Sequence, residues 1–107
     1  MPNEDNIRFW FETRWPNANV GIVESSSGVV VVDTDSPDAY AEAIALGMDD
    51  TIIRVSKNPA FLFRRPEGCN ITNATRKGES GKIDLLANGQ IIAWGKHREG
   101  QAIYLQD

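Results

Sequence analysis

With 107 residues, the chain has room for one small domain (1–107) and a single modest core. Hydrophobic residues make up 41% and charged residues 24%, with three tryptophans, which excludes a disordered segment. A net charge of −4 argues against unspecific nucleic-acid binding through charge alone. No apolar run is long enough to cross a bilayer and no signal-peptide pattern opens the chain, so no membrane partner is expected. The lone Cys69 leaves an internal disulfide or a cysteine zinc site without its ligands and fits a reducing cytoplasm.

In chain order, residues 3–14 read as a helix. Asn3 or Asp5 can cap it, and Ile7, Phe9, Trp10 and Phe11 give a broad apolar stripe, extended by Trp15, that is expected to face the core. Pro16-Asn17 ends it. Residues 19–23 read as a strand, and Ser25-Ser26-Ser27-Gly28 as the turn of a hairpin into the next. That next strand holds four consecutive valines, Val29 to Val32, which suit a pleated and well-buried surface. Ser36 and Pro37 suit the cap and first position of a helix over 37–46, and Gly47 suits its end.

Residues 51–55 and 60–65 read as strands joined by Lys57-Asn58-Pro59. Residues 70–81, polar and rich in Gly, Ser and Thr, read as a loop or a poorly paired strand. Asn70-Ile71-Thr72 has the form of a glycosylation acceptor, without meaning in a chain lacking a secretory signal. Asn88-Gly89 between 82–87 and 90–94 is the strongest hairpin signal, and 101–105 is a last strand. Two helices and about seven strands result: an α+β fold with a largely antiparallel sheet.

Chemistry concentrates where the valine strand ends. Asp33 and Asp35 stand two apart and project from one face, where paired carboxylates repel unless a hard cation such as Mg²⁺ or Mn²⁺ neutralises them. The plainer reading is a capped strand-to-helix turn with solvated acids. Asp84 lies inside an apolar strand, and three carboxylates form a two-metal site for phosphoryl transfer if its strand neighbours that of Asp33. His97, the only histidine, sits in the basic, glycine-bounded loop Gly95-Lys96-His97-Arg98-Glu99-Gly100. It is either an exposed loop residue or a phosphate or metal-water contact. Arg54, Lys57, Arg64 and Arg65 surround the middle hairpin, where surface solubility and triphosphate binding explain them equally well.

The order of these pieces resembles a known family. Trp10-Phe11, Trp15-Pro16-Asn17-Ala18-Asn19-Val20-Gly21-Ile22-Val23 and Val29-Val30-Val31-Val32-Asp33-Thr34-Asp35 look like the prim-pol domain of bifunctional DNA primase–polymerases. These belong to the archaeo-eukaryotic primase superfamily of phages, plasmids and integrated mobile elements. The segments 53–64, 82–86 and 89–97 follow in the family's order, with Gly100 and Tyr104 behind them.

The resemblance implies a prim-pol core, here in a short version, because members usually carry a further strand and helix before the point where Met1 stands. It implies Asp33, Asp35 and Asp84 as catalytic, metal-binding acids for two Mg²⁺ or Mn²⁺ ions. Nucleotide and phosphate contacts are implied for His97, Lys57, Arg54, Arg64 and Lys96. The implied activity is DNA primase and DNA-directed polymerase, a nucleotidyltransferase. Its implied partners are a single-stranded DNA template, NTP or dNTP, and a helicase domain or protein. Ala60 stands where many members carry a phosphate-contacting histidine. That departure favours the alternative, a degenerate nucleotide- or nucleic-acid-binding module, whereas the acid triad favours the enzyme. A third reading, an acid-dependent phosphatase, is opposed by the β-rich order.

Overall fold

The computed structural model describes residues 3–68, 70–78 and 81–107; Met1 and Cys69 lie outside them. Helix α1 (Glu4–Phe9) is capped by Asn3, whose side chain accepts the Asn6 N–H while Asn6 answers to the Asn3 N–H. It continues into a wider π-helical turn, Trp10–Arg14. Strand β1 (Val20–Val23) leads to a four-residue helix α2 (Glu24–Ser27), then to β2 (Val29–Thr34) and α3 (Pro37–Ala45). Six strands complete the chain: β3 (Ile52–Val55), β4 (Ala60–Arg64), β5 (Ala74–Gly78), β6 (Gly81–Leu86), β7 (Gln90–Lys96) and β8 (Ala102–Gln106). The fold is α+β, a mostly antiparallel sheet with three short helices.

The strands form one sheet in the order β1-β7-β8-β3-β4-β2-β6-β5, every neighbouring pair antiparallel. Strands β2 and β3 both pair with β4 and so run parallel to each other, which requires the crossover that α3 provides. Ser36 caps α3 by accepting the Ala39 N–H, with Pro37 in its first turn. Alternation along β2 divides its side chains. Val32 packs with Phe61, Ile83, Ala39 and Ala43 beneath α3, where the Tyr40 ring stacks on Phe61. Val31, on the opposite face, packs with Ala60, Leu62 and Ile91. Val31 on β2 and Ile91 on β7 share this cluster although their strands lie far apart in the sheet order, so the sheet curls into a half-barrel around it.

Several sequence expectations are corrected. Strands β1 and β2 are not a hairpin. The serine run winds into α2, Gly28 ends it in the left-handed conformation (φ 67°), and β1 pairs with β7. The Asn88-Gly89 hairpin is also absent, since β6 pairs with β2 and β5 while β7 pairs with β1 and β8. Neither Asn88 nor Gly89 adopts the positive φ that a tight type I′ turn needs. Instead, Asn73 Oδ1 takes the Ala87 and Asn88 N–H groups, and the Gly89 carbonyl accepts the Glu24 N–H. The link thereby crosses between the two ends of the curled sheet. The polar 70–81 segment contains a true edge strand, β5, tied to α3 by Arg76–Glu42 at 2.9 Å. Finally, the first helix buries no residue: Phe9 and Trp15 are half exposed. Its stripe packs on the outside of the sheet, through the Phe11 ring against Trp94, and not in the core.

Candidate active site

Antiparallel partners project to the same face of a sheet, and a single row of partners crosses the concave face. Arg54 on β3 opposes Ala60 on β4, Ala60 opposes Asp33 on β2, Asp33 opposes Asp84 on β6, and Asp84 opposes Thr75 on β5. Strand pairing thus brings together two acids 51 positions apart in sequence. Ala60 is fully buried and contributes one methyl group, so the Arg54 side chain can pass over it. The guanidinium Nη2 reaches Asp33 Oδ1 at 3.5 Å and donates to the Asn58 carbonyl at 2.9 Å, while Nη1 donates to the Ile92 carbonyl at 3.3 Å.

Burial pushes the Asp33 carboxyl above its ordinary value. Arg54 opposes the shift, and the charges of Asp84 and Asp35 add to it. Burial also pushes the Arg54 guanidinium below its ordinary value, with Asp33 opposing. Asp84 accepts from the Thr75 hydroxyl at 2.6 Å and stands 3.9 Å from Lys82 Nζ. Asp35 accepts the Lys82 N–H at 2.8 Å, and its own N–H donates to the Lys82 carbonyl. Gly81 allows this approach, since a Cβ there would stand 2.7 Å from Asp35 Oδ1.

The row opens into a cleft of about 330 Å³ lined by Asp33, Asp35, Arg54, Lys57, Asn58 and His97, among others. Lys57 meets Glu99 at 2.6 Å, and the Glu99 N–H donates to His97 Nδ1 at 3.1 Å. With Nδ1 accepting from the Glu99 N–H, Nε2 is the ring nitrogen that carries a proton. Glu99 is lowered from its ordinary value, first by its hydrogen bond from Lys57.

Sequence-predicted residues divide accordingly. Asp33, Asp35, Arg54, Lys57 and His97 share the cleft, and Asp84 is register partner to Asp33. Arg64 is not there. It pairs with Val29, four residues along the strands from the Asp33–Ala60 pair and so about 13 Å away. Lys96 lies in an adjoining groove that meets the cleft at His97. Among the described residues, no three His, Cys, Asp or Glu side chains already converge as a metal cage.

A family model described as the N-terminal domain of bifunctional DNA primase/polymerase matches residues 1–105. The chain belongs to the bifunctional DNA primase/polymerase family. No curated protein and no solved structure matches it. For a member of this family, the crowding of Asp33 by Asp84 and Asp35 has a chemical sense. Like-charge repulsion between carboxylates is the kind that a hard divalent cation relieves, although no three acidic side chains converge here among the described residues.

Sequence reasoning overlooked the residues that hold this primase/polymerase-family cleft in place. Glu99 orients both Lys57 and His97, and its signal was its place two residues after the sole histidine. Thr75 on Asp84 and Asn58, whose amide donates to the Asp35 carbonyl at 3.2 Å, gave no local signal because both contacts depend on strand pairing.

Proposed function

We propose that the cleft is a nucleotidyl-transfer centre and the chain the catalytic core of a DNA primase/polymerase. The supporting observation is the register pairing of Asp33 with Asp84, where Asp33 and Asp35 line a cleft together with Lys57 and His97. The substrates are nucleoside triphosphates and a single-stranded DNA template, and the family resemblance supports a helicase domain or protein as partner.

Asp33, Asp35 and Asp84 would hold Mg²⁺ or Mn²⁺, which would supply activation of a 3′-hydroxyl and neutralisation of charge on the α-phosphate. The 3′-hydroxyl gives its proton to solvent water, the new bond joins the 3′-oxygen to the α-phosphorus, and the bond from that phosphorus to the leaving pyrophosphate breaks. Lys57 and the His97 Nε2–H donate to the triphosphate oxygens. Arg54 acts on Asp33: it aims the carboxylate and offsets the cost of keeping it charged.

The test is incorporation of labelled nucleotide, by primer extension and by de novo priming on single-stranded DNA with Mn²⁺ or Mg²⁺. Wild-type product that vanishes in an Asp33→Ala, Asp35→Ala double variant supports the reading. A folded, metal-binding protein that makes no product refutes it. That outcome favours the second reading, a nucleotide-binding module without turnover, for which Ala60 and the unconverged acids speak.

A further inference from the structure

A second concavity, of about 390 Å³, adjoins the cleft between the 16–19 loop and the end of β7, and His97 lines both. Trp94 is 54% exposed on a strand interior, where a large aromatic side chain is normally covered. Its ring makes a T-shaped contact with Phe11, with centroids 6.3 Å apart at 88°. Little conformational freedom would therefore be lost when a ligand stacks on it.

The wall beside Trp94 is fixed. The Asn19 amide donates to the Lys96 carbonyl at 3.0 Å, and Asn19 Oδ1 accepts the Lys96 N–H at 2.9 Å. Gly95 has φ +133° and no room for a Cβ against Asn19. Lys96 lines this wall, is exposed and makes no ion pair among the described residues. The nearby acid, Glu99, is occupied by Lys57.

We propose that this groove seats a single-stranded nucleic-acid segment, with a base stacked on Trp94 and a phosphate against Lys96. The inference rests on the polymerase reading of the adjoining cleft, because it takes the groove as the path by which a strand reaches His97. An open indole beside an unpaired cation suits an unpaired base and its phosphate. Bases inside a duplex are already stacked and cannot use it. With a chain charge of −4, affinity is carried by stacking more than by charge, so binding is weakly salt-dependent. One phosphate contact gives a log–log salt slope of about −0.7.

The test is fluorescence anisotropy of a labelled oligothymidylate titrated with the whole chain. Trp94→Ala should weaken binding roughly 10-fold or more. Trp94→Phe should retain most of it, which separates loss of the ring from loss of the fold. Lys96→Gln should reduce the salt slope by about 0.7. A Trp94→Ala variant that binds like wild type, or a duplex that competes as well as the single strand, overturns the proposal. The Asp33→Ala, Asp35→Ala variant separates the two readings. If Asp33 and Asp35 are needed for incorporation but Trp94 is not needed for binding, the groove inference alone fails. If Trp94-dependent binding persists while wild type incorporates nothing, the polymerase reading alone fails.

Discussion

Replacing Arg54 with Met tests the electrostatic reading of the cleft. The Arg54 side chain is 12% exposed and ties β3 to Asp33, to the Asn58 carbonyl and to the Ile92 carbonyl. Removing one partner of a buried pair costs about 3–5 kcal/mol. The Asp33 side chain keeps 34% of its exposure, so water recovers part of that and about 2–3 kcal/mol is expected. For a domain of this size, the loss lowers Tm by roughly 10–20 °C.

The pH dependence has a definite sign. The Asp33 carboxyl is raised in the folded state, so its contribution is full below its unfolded value and is lost as pH rises through its folded one. Without Arg54 the carboxyl rises further, so the deficit of the variant is largest near neutrality and shrinks as the solution is acidified. Urea denaturation of wild type and variant from pH 7 down to about pH 4 measures this. Asp33→Asn removes the titrating group, and adding it to Arg54→Met should recover part of the loss at neutral pH. An Arg54→Met protein as stable as wild type, or a deficit independent of pH, would refute the reasoning.

Glu24 is fully buried and neither carboxylate oxygen has a hydrogen-bond partner among the described residues; Glu24→Met should gain about 1–3 kcal/mol in urea denaturation, and a loss would reveal a partner. Gly95→Ala forces a side chain into a left-handed conformation against Asn19 and should cost about 1–3 kcal/mol from the backbone alone; an unchanged denaturation midpoint would contradict this. Arg64→Ala, remote from the cleft, should change stability by less than about 0.5 kcal/mol and leave nucleotide incorporation unaltered. Incorporation lost in Arg64→Ala would return that residue to the site.

Local chemistry made much of this fold legible. Valines at 29–32 specified a buried strand, Ser36-Pro37 and Gly47 bracketed α3, and Lys57-Asn58-Pro59 joined two strands that do pair. Long-range pairing was not legible. Asp84 could be named as a third acid from its type and place, but its position opposite Asp33 follows from β6 entering the sheet beside β2. Asn88-Gly89 misled for the same reason: the strands flanking it found stronger partners elsewhere, and the residues took an ordinary backbone conformation. Periodicity showed that Ile7, Phe9 and Trp10 share a stripe, but it cannot say what a stripe packs against. No residue of that helix is buried.

The most direct test of the account is nucleotide incorporation by Asp84→Asn, because only the strand pairing joins this residue to Asp33 and Asp35. Substituted in a chain that keeps its thermal stability, it should lower the rate of Mn²⁺-supported incorporation by about 10²–10³-fold, the scale at which lost transition-state charge stabilisation is felt. A folded Asp84→Asn protein that incorporates nucleotide at the wild-type rate would contradict the claim that the Asp33–Asp84 pair is the reacting centre.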